Sequence, residues 1–315
     1  MVGGLCLPAC RSLHPGLLAD ADAGRNDVTR FASVQRCLCL PRNTRGRDFV
    51  VGDLHGHRAL LERELARLSF DTRCDRLLSV GDLIDRGPDS LASLSLIDEP
   101  WFHAVLGNHE LMLVNYLFAY GSRLYSRKSY ASGPGAWAVA AMAGHRKAFE
   151  RLTERLTSLP LSIHVDAEVP FFVTHADLPS SGLCRAEAAS DRMICVHRAE
   201  KIASSRRKVA AALRAGTTDL RFGPQRVHVS DTPFVRAPIT YAGHSPMHAV
   251  TVHESFVYID QGVCSRTSAH TPPTLLDHGR FARWLVGVAT ARRCVLPAPA
   301  RWPLGCVSAD AAALA

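Results

Sequence analysis

The 315-residue sequence has no apolar run near the roughly 18 residues that a membrane span needs. Its first 20 residues also lack the charged start and apolar block of a signal peptide. We therefore expect a cytoplasmic protein with no membrane partner. No aromatic residues are interleaved with the basic run Arg206-Arg207-Lys208, so we interpret the formal charge of +8 as a solvated basic surface and expect no nucleic-acid partner.

The sequence also lacks the C-x-x-C spacing of most structural zinc sites, although it contains ten cysteines. Two close pairs, Cys6 with Cys10 and Cys37 with Cys39, lie near the N-terminus. We expect reduced, mostly buried thiols, as in a reducing compartment.

The chain divides into three parts by composition. Residues 1–46 are rich in Arg, Cys, Pro and Gly and have no period, which predicts an N-terminal extension, poorly ordered or wrapped on the domain. We predict one domain over residues 47–270, followed by a C-terminal helix and tail over residues 271–315. Within this last part the helix is expected over residues 277–292 and a poorly ordered tail over residues 295–315.

Short apolar runs alternate with amphipathic stretches between these two ends. The amphipathic stretches include a helix with Leu61, Leu65 and Leu68 on one face and a predicted continuous helix over residues 199–214. Alternating strands and helices indicate an α/β fold. The predicted strands cover residues 49–51, 77–80, 104–106, 171–174, 239–242 and 256–259.

Polar clusters follow the first three predicted strands. They read G-D-L-H-G at residues 52–56, G-D-L-I-D-R-G at residues 81–87 and G-N-H-E at residues 107–110. Loops at the carboxyl ends of strands in an α/β sheet face a common crevice, so we expect the three clusters to converge.

The residues in these clusters offer the oxygen and imidazole ligands that hard or borderline divalent metals prefer. Two more histidines follow later strands. Six ligands are too many for one open site and suit two ions about 3.5–4 Å apart with one bridging carboxylate. A lone Asp after a strand more often caps a helix, and a lone His is more often structural, but the three clusters together outweigh that alternative. The six candidate ligands are Asp53, His55, Asp82, Asn108, His175 and His244.

The three motifs resemble the metallophosphoesterases of the phosphoprotein phosphatase type, and in particular the bacteriophage lambda and bacterial serine/threonine phosphatase subgroup. The resemblance covers about residues 48–262 and includes the whole segment 100–110. Ser245 and Gln261 stand where threonine is usual, and neither is a metal ligand. The implied fold is an α/β, four-layer β-sandwich flanked by helices, with a two-metal site at its edge.

The resemblance also implies which residues hold the metals. One ion would be held by Asp53, His55 and Asp82. The second would share Asp82 and add three further ligands, which are Asn108, His175 and His244. Two divalent ions are expected, with manganese first, although these ligands also accept iron, zinc or nickel.

The same resemblance assigns the catalytic roles. Arg86 and Arg198 would clamp the phosphate oxygens, since a guanidinium fork matches two oxygens of a tetrahedral anion. The motif around Arg198 matches the family only in part. His109 would protonate the leaving oxygen, with Asp85 orienting its ring. Taken locally, Arg86 is also consistent with a salt bridge and Asp85 with a helix cap.

The implied activity is that of a serine/threonine protein phosphatase, with phosphotyrosine as a further candidate substrate. Its substrates would be phosphoproteins or phosphopeptides, attacked directly by a hydroxide that bridges the two metals. One alternative is a symmetrical diadenosine tetraphosphate hydrolase, in which the third motif tends to end in Asp, whereas this chain has Glu110. Another alternative, a silent binding module, is disfavoured because every ligand is present together with His109 and Asp85.

Overall fold

The computed structural model describes residues 33–35, 37–118, 121–122, 124–144, 146–178, 193–232, 238–263 and 272–291. The predictions for residues 1–32 and for the tail over residues 295–315 lie outside this part of the chain. Within the described part, no helix combines the length and the apolar character that crossing a membrane requires.

Two large β-sheets organise the described residues. The strands are β1 (Ser33–Gln35), β2 (Leu38–Leu40), β3 (Asp48–Val51), β4 (Arg76–Ser79), β5 (Phe102–Ala104), β6 (Ser162–Val165), β7 (Phe171–Thr174), β8 (Met193–Cys195), β9 (Thr217–Phe222), β10 (Gln225–Ser230), β11 (Ile239–Ala242), β12 (Val250–His253), β13 (Phe256–Tyr258) and β14 (Leu275–Asp277). The larger sheet has the order β2-β6-β7-β11-β13-β12-β10-β9, and the smaller has the order β14-β3-β4-β5. β1 and β8 form a separate antiparallel pair.

Helices connect these strands and cover the sheets. They are α1 (Arg58–Arg67), α2 (Ser90–Leu94), α3 (Asn108–Phe118), α4 (Arg127–Ala131), α5 (Ala136–Gly144), α6 (Arg146–Leu156), α7 (Val196–Ala203), α8 (Arg207–Arg214) and α9 (His278–Ala291), with a 3-10 turn at Ser95–Asp98. α1 follows β3 and α3 follows β5, and β3, β4 and β5 run parallel to each other. Their carboxyl ends therefore meet at one edge of the smaller sheet.

Side-chain alternation along the smaller sheet separates two cores. Val50 and Leu78 lie in the core shared with the larger sheet, whereas Phe49 and Leu77 lie in a core shared with the helices. This is the period of two that a strand imposes on its side chains. The first core also includes Val173, Tyr241 and Val257 of the larger sheet, and the second includes Leu61 of α1 and Leu111 of α3.

The outer face of the larger sheet is covered as well. Val209 and Ala212 of α8 pack against Phe256 and Tyr258 of β13. The order of layers is helices, smaller sheet, larger sheet and helices, so the predicted four-layer α/β sandwich is confirmed.

Several boundaries differ from the sequence-based predictions. The third strand ends at Ala104. The N–H of Val105 still donates to Ser79 of β4, whereas the N–H of Leu106 donates to the carbonyl of Pro160, outside the strand ladder. The helix predicted over residues 199–214 is two helices, α7 and α8. Ser205 lies at the break and donates its hydroxyl to Asp177 at 3.3 Å, and serine hydroxyls that bond elsewhere weaken a helix interior.

Part of the predicted N-terminal extension joins the sheets. β2 pairs in parallel with β6, so the larger sheet begins before residue 47. The domain boundaries themselves stay predictions. Cys39 is disulfide-bonded, so the expectation of reduced thiols is wrong at this position, whereas Cys74 carries a free thiol.

A buried histidine ties α9 to the larger sheet. His278 is the first residue of α9, and its ring stacks on Phe171 with centroids 3.8 Å apart. Its Nε2 lies 2.8 Å from the Val169 carbonyl, which can only accept, so Nε2 carries the proton and Nδ1 accepts from the Tyr241 hydroxyl at 2.9 Å. This network uses the neutral imidazole, and burial lowers the pKa of His278 to about 4.

We predict that this histidine makes the protein acid-sensitive. In the unfolded chain its pKa is 6.5, so below that pH the unfolded state binds a proton that the folded state does not. Stability is therefore lost as pH falls from 6.5 towards 4, by about 2 kcal/mol at pH 5 from this residue alone. Urea unfolding of His278→Phe should show a lower stability at pH 7, from the lost hydrogen bonds, and a shallower decline between pH 7 and pH 5. The exposed His248→Gln is the matched control, and equal pH dependence in wild type and His278→Phe would contradict the prediction.

Candidate active site

Six candidate ligands meet where strands of both sheets end. Asp53 and His55 follow β3, Asp82 follows β4, and Asn108 follows β5 by four residues as the first residue of α3. The larger sheet contributes two more side chains, His175 after β7 and His244 after β11.

Asp82 lies at the centre of this arrangement. Its Oδ1 lies 3.3 Å from Nε2 of His175, and its Oδ2 lies 3.7 Å from Nε2 of His55 and 3.9 Å from Nε2 of His109. Two groups of potential ligand atoms, each within 4.8 Å of one another, share this carboxylate. One group adds His55 and His109, and the other adds His175 and His244. Asp82 is thus placed as a bridging ligand would be.

Asn108 and Asp53 flank the two groups. Oδ1 of Asn108 lies 3.0 Å from Nε2 of His175 and 2.8 Å from Nδ1 of His244. The Asp53 carboxylate accepts the backbone N–H of His244 at 3.1 Å and lies 4.0 Å from Nε2 of His55. The structure therefore brings all six predicted ligands together, and their assignment as ligands stays a prediction.

The backbone at the site adopts a conformation that side chains disfavour. Among the described residues, seven other than glycine have positive φ, and five of them belong to the predicted site. Such strain persists only where the surroundings hold it, and it clusters at functional sites. The five are His55 (42°), Asp82 (50°), Asp85 (71°), Arg86 (69°) and His244 (69°).

Two glycines make room for the carboxylates. A Cβ at Gly107 would lie 2.2 Å from Oδ1 of Asp82, and a Cβ at Gly243 would lie 2.0 Å from Oδ1 of Asp53. Either contact is far inside the van der Waals distance, so a side chain at these positions would displace the carboxylate.

Glu110 is a site residue that the sequence analysis did not assign a role. It is fully buried, and its carboxylate accepts three backbone N–H groups, from Asp82, Leu83 and Gly107, each at 2.8 Å. It thereby fixes the loop that carries Asp82. Burial and the Asp82 charge raise the pKa of Glu110 to about 8. Its position in the G-N-H-E motif was the one available signal.

The histidines around Asp82 present lone pairs rather than protons. Nδ1 of His175 lies 2.8 Å from the Val80 carbonyl and donates to it, so its Nε2 faces Oδ1 of Asn108 and Oδ1 of Asp82 as a third acceptor. Nδ1 of His55 likewise donates to a backbone carbonyl at 3.0 Å. Burial lowers the pKa of His55 and of His244 to about 3, and a proton on His175 would lower the pKa of His244 further.

The pKa values of the buried carboxylates are shifted in opposite directions. Burial raises the pKa of Asp53 well above its usual range, and the charges of Asp260 and Asp82 raise it further. For Asp82, burial acts in the same direction, but the neighbouring His175 and His109 hold its pKa below the usual value. Asp260 is a second residue that the sequence analysis did not assign, and burial raises its pKa to about 6.

The ligand atoms of this cluster fit divalent metal ions. Acceptors face acceptors around Asn108 and Asp82, and the buried Nε2 of His244 has no hydrogen-bond partner among the described residues. A cation satisfies such a cluster, and neutral imidazole is the form that binds metals. Oxygen and imidazole ligands suit hard or borderline ions.

A buried, hydrogen-bonded pair of a histidine and an aspartate lies beside the candidate ligands. Nδ1 of His109 lies 2.6 Å from Oδ2 of Asp85. Burial would lower the pKa of His109, but the charges of Asp82 and Asp85 and this hydrogen bond raise it above the usual value. The other oxygen of Asp85 accepts from Tyr130 and Trp137, two residues that the sequence analysis did not assign.

The two predicted phosphate-binding arginines differ in their surroundings. Arg86 is exposed, and its Nη1 lies 2.9 Å from Nε2 of His55, so it reaches the ligand cluster. Arg198 lies on an exposed face of α7. Arg206, at the start of α8, is close enough to His244 for its charge to lower the pKa of that histidine, after the larger effects of burial and His175. The phosphate-clamping roles stay predictions.

Comparison with known proteins places the chain in a family. Residues 49–209 match the model of the calcineurin-like phosphoesterases. A serine/threonine-protein phosphatase 1 from Salmonella typhimurium is 39% identical over 134 residues, which are 42% of this chain and 60% of that protein. A serine/threonine-protein phosphatase 2 from Escherichia coli is 37% identical over 134 residues, with shares of 42% and 59%. The chain therefore spans about three fifths of the length of these two relatives.

A relative of another specificity matches over a longer stretch. A symmetrical bis(5'-nucleosyl)-tetraphosphatase from Actinobacillus succinogenes is 30% identical over 200 residues, which are 62% of this chain and 68% of that protein. These relatives are named for different substrates, phosphoserine or phosphothreonine proteins in two cases and a dinucleoside tetraphosphate in the third. Because the family model covers half of the sequence, including the loops of Asp53, Asp82 and Asn108, this chain belongs to the calcineurin-like phosphoesterase family.

Proposed function

We propose that this chain is a metal-dependent phosphomonoesterase that removes phosphate from phosphoserine and phosphothreonine in proteins. The observation that carries the proposal is the buried pair of His109 and Asp85, 2.6 Å apart, directly beside the ligand cluster. A serine or threonine alkoxide leaves poorly unless it receives a proton as the P–O bond breaks. A histidine whose pKa is raised, and whose ring is fixed by a carboxylate, is suited to deliver that proton.

The remaining residues divide the other tasks. Asp53, His55 and Asp82 would hold one ion, and Asp82 would be shared with a second ion held by Asn108, His175 and His244. When bound, two divalent ions, which we propose to be manganese, lower the pKa of a bound water and neutralise charge on the phosphate. Arg86, exposed at the edge of the cluster, would hold phosphate oxygens by charge-assisted hydrogen bonds. Asp85 keeps the His109 ring in one orientation.

A second candidate activity is the symmetrical hydrolysis of diadenosine tetraphosphate. It is supported by the relative that this chain matches over 200 residues. The leaving group in that reaction is a nucleoside diphosphate, a weak base that departs without a strong general acid. The fixed His109–Asp85 pair therefore favours hydrolysis of a phosphomonoester as the activity.

We predict that the manganese-loaded protein hydrolyses phosphoserine and phosphothreonine peptides with a higher kcat/KM than diadenosine tetraphosphate. Both substrates should be offered to one preparation, with phosphate release and nucleotide products measured in parallel. His109→Asn serves as the control, since it should remove most of the peptide activity. A higher kcat/KM on diadenosine tetraphosphate would contradict the proposed protein phosphatase activity and support the second candidate activity.

We predict that Asp82→Asn weakens binding of both metal ions, whereas His55→Asn weakens binding of one. The reason is that the Asp82 carboxylate belongs to both groups of ligand atoms. Manganese titration by calorimetry, with metal content measured after dialysis, separates the two patterns. His103→Asn, on β5 beside Asp48 and Arg76, is a control outside the cluster. A variant Asp82→Asn that keeps kcat/KM within about threefold of wild type would exclude a bridging role.

We predict that His109→Asn loses activity in proportion to the need of the leaving group for a proton. General acid catalysis is typically worth about 10²- to 10⁴-fold, so a loss of that size is expected on a phosphoserine peptide. The loss on p-nitrophenyl phosphate should be distinctly smaller, because p-nitrophenolate leaves readily without a proton. Metal content, measured on the same preparation, should stay unchanged. Equal losses on both substrates, or loss of a metal, would remove the acid role.

A further inference from the structure

The Asp85 carboxylate is held from two sides. Its Oδ2 receives the His109 ring, while its Oδ1 accepts a hydrogen bond from Nε1 of Trp137 at 2.6 Å and one from the Tyr130 hydroxyl at 3.1 Å. The residue is fully buried, and its backbone N–H donates to the hydroxyl of Ser90 at 2.8 Å. The carboxylate therefore has one geometry, fixed by three side-chain donors.

The hydrogen bonds from Tyr130 and Trp137 favour one protonation state of the His109–Asp85 pair, in which the carboxylate only accepts. An indole N–H can only donate, so the oxygen that faces Trp137 must act as an acceptor. Tyr130 donates to the same oxygen, which leaves the other oxygen to receive the Nδ1–H of His109. The ring then presents Nε2 on the side of Asp82, from which it lies 3.9 Å away.

Local packing fixes both donors. Tyr130 lies in the last turn of α4. The chain then turns, and Gly135 donates its N–H to the Tyr130 carbonyl at 2.8 Å. A Cβ at Gly135 would lie 2.2 Å from the Tyr130 ring, so glycine lets α5 approach that ring closely. Trp137, in the first turn of α5, makes an edge-to-face contact with Phe149 of α6, with centroids 6.0 Å apart.

We propose that Tyr130 and Trp137 are positioning residues for the acid, which act through Asp85 on His109. The inference rests on the proposed function only in taking His109 as the proton donor to a leaving oxygen. It assigns the segment from α4 to α5 a part in the reaction, although neither residue needs to touch substrate.

The test compares two aryl phosphates of similar size, phenyl phosphate with a poor leaving group and p-nitrophenyl phosphate with a good one. Trp137→Phe and Tyr130→Phe remove one donor each and keep an aromatic ring. Each should lower kcat on phenyl phosphate by about tenfold, a part of the about 10²- to 10⁴-fold worth of a general acid. KM, metal content and the rate on p-nitrophenyl phosphate should change little. Trp101→Phe is the matched control, because that indole donates to Glu99 at 3.1 Å, outside the site.

The decisive measurement repeats both substitutions in a His109→Asn background. If the two residues act through His109, they cause no further loss on phenyl phosphate once His109 is gone. The same loss in both backgrounds, or equal losses on the two aryl phosphates, would overturn the proposal and leave a structural role. Should Trp137→Phe not fold, Tyr130→Phe carries the test alone. These assays use neither peptide nor nucleotide. If the wild type did not hydrolyse phosphopeptides, that result would refute the proposed protein substrate without affecting this test.

Discussion

The hydrogen bonds of one residue, Asp82, hold this site together. The Asp82 carbonyl accepts the N–H groups of Leu54 and His55, at 3.1 and 2.8 Å, so the loop after β4 anchors the loop after β3. Its own N–H donates to Glu110, and its carboxylate accepts the N–H of His109 at 3.0 Å, which anchors the start of α3. Three loops that are distant in sequence thus share one residue with a positive φ. These hydrogen bonds hold Asp82 in its positive-φ conformation.

This packing has an electrostatic consequence. Drawing the loops together buries Asp53, Asp82 and Asp260 side by side, and burial disfavours their charged forms. Neutral imidazoles cannot balance that charge, since the donated N–H of His55 and that of His175 point to backbone carbonyls. The folded chain therefore concentrates acceptors and negative charge in one place. Divalent cations resolve that imbalance, so metal binding and the stability of the site should be coupled.

The sequence was sufficient for the parts of the site that depend on strand ends. Short apolar runs followed by glycine and polar residues located Asp53, Asp82 and Asn108, because parallel strands bring their carboxyl ends to one edge. It was insufficient where a role arises from contacts between distant positions. Tyr130 and Trp137 lie 45 and 52 residues after Asp85 and belong to no motif, so nothing local indicates that they bond to it.

The same limit explains the misplaced helix boundary. The apolar pattern over residues 199–214 fits one helix, yet the chain breaks where Ser205 and Arg207 reach the buried Asp177 carboxylate, two residues beyond His175. Hydrogen bonds to a partner 28 residues away override the local period. The break also sets the place of Arg206, which lies between the two residues that Asp177 holds.

The site therefore has two structural origins. Five of the six candidate ligands lie in loops that follow strands of the two sheets, and the sixth, Asn108, begins α3. Helices surround the cluster: α3 carries His109, α4 and α5 carry the two donors to Asp85, and α8 follows Arg206, whose charge acts on His244. His109 and the two side chains that bond to Asp85 therefore lie on helices, whereas most candidate metal ligands follow strands. Because function depends on the side chains of a site rather than on the fold, the side chains on these helices are the positions to vary when substrate specificity is tested.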